Sequence, residues 1–441
     1  MDKTRRFLLG SIPAAMALAT LPGRSGAQTA AMPPDEILQD WYRLILELVR
    51  HTATYSPPVA SRAFAYVGIT AYEAAIIGQA GPRSLAGQLP GLTAVPSPVG
   101  QAELDPSVIL QAALQTSVSH FFWNTGPTGQ RAMGAMGRKL AEAAAVGVPA
   151  DVAQRSSALG TAIAEHVIAW SRDDGGDRIE NMGFPLTWEF QSGPEHWVPT
   201  SLVSQQQAPL LPRWGWNRAF AMPDGSSCGL PPPPAYSEEP GSDFYNEAYE
   251  VYDTVRNLTP EQTLIARFWS DDPMLSPTPP GHWISIALEV MAEDNLPVEQ
   301  QADVLARLGI TLADAFIACW RSKFEFDLLR PVTYINRVID AKWQPILITP
   351  PFPEYPSGHS TQSGAAAEVL TGLLGADRAF GDATHEADGL PVRQFANFWQ
   401  AANEAGISRL YGGIHFRAAI ERGLEQGRCV GAYALALETL A

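Results

Sequence analysis

The chain has 441 residues, of which 46% are hydrophobic, and carries a formal charge of −16 at pH 7. That sign argues against nucleic acid and anionic lipid surfaces as partners, while the apolar share supports a sizeable core. Three cysteines, Cys228, Cys319 and Cys429, are too few for a disulfide scaffold. They leave room for one bridge from Cys228 to a partner the sequence does not fix.

In chain order, the first feature is Arg5-Arg6 followed by Phe7-Leu8-Leu9, an apolar run from Ala14 to Leu21, and the small residues Ser25-Gly26-Ala27. This pattern predicts a twin-arginine export signal cleaved after Ala27, and so a periplasmic or secreted protein. The apolar run is shorter than the roughly 20 residues of a membrane span, so no membrane anchor is expected once the signal is removed. Apolar spacing then predicts helices over 34–52, 61–77, 105–122, 128–145 and 150–171. Residues 183–242 turn to Pro, Gly, Trp and Ser, and read as a long irregular excursion packed on the helices and helping to cover a site. Helices resume over 247–256, 260–269, 284–293, 298–326, 361–374, 393–407 and 418–437. Alternating strand patterns are nearly absent, and residues 28–441 read as one all-α, bundle-type domain with no internal repeat, its motif-bearing part about 247–441.

Against the negative global charge stand three short segments, KFEFDLLRP (323–331), PSGH (356–359) and SRLYGGIH (408–415). They supply three cations (Lys323, Arg330 and Arg409), with Ser357, Gly358, His359 and His415. Lys323 and Arg330 lie seven apart, which predicts both on one face of one helix that Pro331 ends or kinks. Ser357-Gly358-His359 precedes an alanine-rich helix, so an anion would meet backbone N–H groups at its start. Gly412-Gly413 permits a turn bringing Arg409 and His415 to one centre. Together these residues suit a tetrahedral oxyanion with acid–base chemistry beside it.

The three segments resemble the pattern K-x6-R-P, P-S-G-H and S-R-x5-H shared by vanadium-dependent haloperoxidases and the related acid and lipid phosphatases. The likeness extends to HWVPT (196–200), LPRWGW (211–216), 249–262 and TPPGHW (278–283), which look like bacterial members of the haloperoxidase branch. It implies a vanadium chloroperoxidase-like helical bundle with vanadate as cofactor, and hydrogen peroxide and halide as substrates. By resemblance, His415 would bond vanadium, and Lys323, Arg330 and Arg409 would neutralise the oxyanion. Ser357 and the Gly358 N–H would hydrogen-bond it, and His359 would be the acid–base group. Trp320 and Phe352 would line the halide side, although an aromatic at helical spacing reads equally as core. Iodide or bromide is favoured over chloride.

One position departs from the family. Where an acid often follows the ligand histidine by four residues and orients it, this chain has Ala419. A backbone carbonyl or water could take its place, and the expectation is weaker vanadate retention or a pH profile unlike that of a member with the acid. His282 is read on a loop, either at the pocket entrance or structural, and His51, His120, His166, His196 and His385 are read as structural. Two other functions remain open: a periplasmic acid phosphatase with His415 as nucleophile, and a catalytically idle oxyanion-binding protein. Oligomeric state is not readable.

Overall fold

The computed structural model describes residues 31–98, 100, 103–178, 183–203 and 206–440, so the expected export signal over 1–27 lies outside the described residues. Thirteen helices carry the fold, with one two-stranded ribbon among the described residues. In order they are α1 (Pro34–Arg50), α2 (Pro57–Ala75), α3 (Pro106–Phe121), α4 (Gly126–Ala144) and α5 (Ala150–Ser171), then α6 (Asp243–Arg256), α7 (Pro260–Phe268), α8 (Thr278–Glu293) and α9 (Val298–Phe326). After these come α10 (Pro331–Val338), α11 (Gly358–Leu374), β1 (Phe380–Asp382), β2 (Arg393–Phe395), α12 (Phe398–Tyr411) and α13 (Arg417–Leu435). No described helix is long and apolar enough to cross a membrane.

The centre is α9, buried over most of its length and packed along α2. Two glycines let these backbones touch. A Cβ on Gly68 would fall 2.7 Å from the Leu305 carbonyl oxygen, and one on Gly309 would fall 2.8 Å from that of Phe64. Bulkier residues would push the helices apart. On the other side α11 packs on α13, where Gly427 lies against the backbone of Thr361 and Ala365. A second apolar cluster, including Phe244, Tyr334, Tyr355 and Phe416, ties α6 and α10 to the start of α13.

Helix starts carry the expected devices. Asp105 accepts from the Val108 amide, Ser242 from Tyr245, and Thr259 with Gln262 forms a capping box at α7. Several expected boundaries move for a shared reason: prolines begin helices here. Pro57-Pro58 starts α2 four residues earlier than expected, and α8 begins at Thr278, ahead of Pro279-Pro280. His282 is therefore on a helix and buried, not on a loop. Likewise α9 stops at Phe326, with Asp327 left-handed at φ 46°. Arg330 is extended and caps α10, which opens on Pro331 and was not expected. Lys323 and Arg330 thus do not share a helix. Residues 393–395 form β2, antiparallel to β1, where a helix was expected.

The excursion is packed as expected. The Asp314 carboxylate on α9 accepts from the amides of Phe220, Ala221 and Met222, at 2.7–3.0 Å. A Cys228–Cys429 disulfide ties its far end to α13, and Cys319 is free and buried. Trp197 and Trp214 are buried, whereas Trp216 stands half exposed.

Candidate active site

The turn 352–359 joins three helices at one point. Lys323, in the last turn of α9, is fully buried and donates to the carbonyls of Pro353 (2.9 Å), Glu354 (3.0 Å) and Pro356 (2.5 Å). Its three protons are committed to this turn, so its ammonium acts on the cavity through charge and through the shape it imposes. Arg330 fastens the same turn from the other side, donating from Nε to the Phe352 carbonyl (2.8 Å) and from Nη1 to that of Ile414 (3.0 Å). Ser357 caps α11, its hydroxyl accepting from the Ser360 amide (3.3 Å), which leaves Gly358 and His359 as the first residues of that helix. Gly413, at φ 78°, makes the turn that swings His415 back toward Arg409, as the spacing predicted.

Gly358, His359, Arg409, His415, Trp320 and Phe352 share the walls of one cavity of about 510 Å³. The Trp320 and Phe352 rings touch at 4.8 Å between centroids, and the indole N–H donates to the Leu210 carbonyl (3.2 Å). The excursion thus supplies part of the wall, together with Phe184 and Gln206. Three buried nitrogens here have no hydrogen-bond partner: Arg330 Nη2, Arg409 Nε and His359 Nε2. Orphaned buried polar atoms are costly, and in a native fold they call for an explanation.

The electrostatics point the same way. Burial pushes Lys323 down to about 7, Arg330 to about 9 and Arg409 to about 10. Burial, with Arg330 adding to it at His415 and Arg409 at His359, holds both imidazoles well below their ordinary value. These are cations short of an anion. A tetrahedral oxyanion would meet the orphaned nitrogens, the positive field and the start of α11 together, so the residues present fit vanadate or phosphate.

The acid that position 419 does not supply comes from elsewhere in the chain. His415 Nδ1 donates to Glu354 Oε1 at 2.8 Å, and the same oxygen accepts the Phe416 amide at 2.9 Å. The acid arrives from the turn before PSGH, not from the helix after the histidine. Donation from Nδ1 fixes the tautomer and leaves Nε2, which lies 3.2 Å from Arg330 Nη1, as the basic nitrogen. Burial raises the Glu354 carboxyl to about 8. Glu354 was legible as the one acid in the run TPPFPEYPSGH, though nothing local pairs it with a residue 61 positions away.

Asp271 and Asp272, also missed, line the opposite wall after α7. The neighbouring Trp269 carbonyl accepts from Arg409 Nη1 (2.7 Å) and faces His359. His282, read as at the pocket entrance or structural, and His385, read as structural, come together behind this wall on Asp271.

With the geometry in hand, comparison places the chain among known proteins. Residues 303–439 match a model of the second helical-bundle domain of vanadium chloroperoxidases. The crystal structure of a bacterial vanadium-dependent iodoperoxidase superposes with a TM-score of 0.85 at 36% identity, covering 93% of this chain and 98% of that one. A bacterial vanadium-dependent chloroperoxidase in its vanadium-loaded form shares the fold, with a TM-score of 0.66 at 17% identity over 88% and 92% of the two chains. Vanadium chloroperoxidase from Curvularia inaequalis is 25% identical over 220 residues, spanning 36% of this chain and 36% of the fungal enzyme. This chain belongs to the vanadium-dependent haloperoxidase family.

Proposed function

We propose that the protein is a vanadate-dependent haloperoxidase that oxidises iodide in preference to bromide, and both in preference to chloride, using hydrogen peroxide. The observation that carries this is His415: a buried imidazole held by Glu354 so that Nε2 faces a cavity walled by cations with unused donors. The whole-chain similarity to an iodoperoxidase supports the halide order.

Vanadate, held through His415 Nε2 with Arg330, Arg409 and the start of α11, would supply a Lewis acid that activates peroxide toward two-electron oxidation of halide. Lys323 would contribute positive charge while keeping the turn in place. His359, neutral at ordinary pH because burial depresses it, has an Nε2 able to take a proton from incoming peroxide. Overall, one peroxide, one halide and one proton give hypohalous acid and water. Trp320 and Phe352 supply an apolar wall against which a weakly hydrated halide such as iodide sheds water most readily.

The test is halide oxidation by the protein incubated with orthovanadate, run beside p-nitrophenyl phosphate hydrolysis by the vanadate-free form. Vanadate-dependent iodide oxidation, lost in His415→Ala, is expected. Phosphatase turnover without halide oxidation would instead make His415 a phosphoryl-accepting nucleophile. Twin-arginine export belongs to the same proposal, and the Cys228–Cys429 bridge suits an oxidising compartment. A mature N-terminus at Gln28 in the exported fraction checks it.

A further inference from the structure

Behind the Asp271 wall lies a second buried polar centre that the proposed chemistry does not use. His282, in the first turns of α8, has Nδ1 at 3.1 and 3.0 Å from the two oxygens of Asp271. His385, in the turn after β1, brings Nε2 to 3.1 Å from Asp271 Oδ1. The outer nitrogen of each ring is engaged by its own carboxylate. His282 Nε2 donates to Asp382 (2.8 Å) and His385 Nδ1 to Asp388 (3.0 Å), which in turn pairs with Arg50. Trp269 stacks on the His282 ring at 4.5 Å.

We propose that Asp271, His282 and His385 form a binding site for one divalent transition-metal ion, of which zinc is the best-matched probe. Three features argue for it. Ligand atoms of all three residues lie within 4.8 Å of one another, and all three residues are buried. The contacts of 3.0–3.1 Å approach the ~3.3 Å edge of a tetrahedron whose centre binds N and O ligands at about 2.0–2.1 Å. In addition, His282 Nδ1 is almost equidistant from both Asp271 oxygens, as around a shared ion, where a single N–H would be directed at one.

The surrounding carboxylates supply the chemical logic. Ligand histidines characteristically donate their other N–H to a carboxylate, which fixes the tautomer and makes the inner nitrogen a better ligand. Both rings have this partner here. Two neutral imidazoles and a carboxylate suit a borderline ion such as zinc. The ion would be structural, pinning the end of α7, the start of α8 and the β1–β2 connection. It would thereby hold the Trp269 carbonyl that receives Arg409.

The test uses the full chain without vanadate, equilibrated with zinc, desalted, and analysed for metal by mass spectrometry; a cobalt-substituted sample is read by visible absorption. About one tightly held zinc per chain and a tetrahedral cobalt spectrum are expected. His385→Gln should abolish stoichiometric binding. Asp388→Asn, which leaves all three ligands in place, should keep the circular dichroism of the parent and weaken zinc by ~10–100-fold. No retained metal in the parent protein, or zinc bound equally by His385→Gln, would overturn the proposal and leave the centre as carboxylates bridged by protonated imidazoles. Neither result depends on haloperoxidase activity, so failure here is distinguishable from failure of the functional reading.

Discussion

The two polar centres on either side of the Asp271 wall are built on opposite plans. Around His415 the chain gathers three buried cations and leaves nitrogens of Arg330, Arg409 and His359 unpartnered. Around His282 every ring nitrogen faces a carboxylate, and Asp271 is held below the ordinary carboxylate range by the imidazoles that outweigh its burial. The first centre opens on a cavity; the second lies behind the Asp271 wall of that cavity, with Phe268 and Trp269 packed on the His282 ring. The contrast separates a site built for an anion from one whose carboxylates and imidazoles are already paired and, on the proposal above, would gather around a cation. A site of the first kind carries a stability cost in exchange for binding, and one of the second kind anchors the structure.

The largest expected effect divides the two. Asp382→Ala removes one partner from the saturated centre and should lower stability by about 3–5 kcal/mol, read by denaturant unfolding. By contrast, His359→Ala should cut halide oxidation by ~10²–10⁴-fold while leaving the unfolding midpoint unchanged or higher. Vanadate binding should survive that change; its collapse would make His359 structural. Next, Glu354→Gln keeps the shape but removes a carboxyl that ionises around pH 8 behind His415, and vanadate affinity above that pH should fall by ~10–100-fold, measured by titrating activity back with orthovanadate. An unaffected variant would mean the His415 orientation comes from Arg330 and Ile414 alone.

The smallest effect is a pH slope. Lys323 is pushed by burial down to about 7 from its ordinary 10.5, so it is charged below that point and neutral above it. An anion favours the charged form, so phosphate or vanadate should bind more tightly as pH falls toward 7, and affinity should weaken above it by at most ~10-fold per pH unit. Lys323→Met should flatten that slope relative to the parent, since the titration of the anion itself is common to both. Equal slopes in calorimetric titrations from pH 6 to 9 would remove Lys323 from the linkage.

How much of this was legible in the chain follows from the range of each signal. Helices with a periodic apolar face were readable, and so were the seven residues of the three motifs, because each is written within a few positions. The fate of Pro331 was not: locally it stops one helix, and only Asp327 turning left-handed shows that it starts another. The strands β1 and β2 span three residues each, too few for alternation to register. Glu354 and the His282–His385 pair depend on contacts across 61 and more than 100 positions, where spacing carries no information. The pairing of Cys228 with Cys429 is hidden for the same reason.

The excursion bears on how such an enzyme can diverge. Leu210 is stitched to both sides of the cavity, its amide to the Pro351 carbonyl and its own carbonyl to the Trp320 indole. No residue of the three motifs lies in that strip of chain. Substitutions at Phe184, Gln206 or Leu210 can therefore remodel that wall of the cavity while the residues of the three motifs stay unchanged. This wall and the three motifs are encoded in separate stretches of sequence, and each is free to drift without the other.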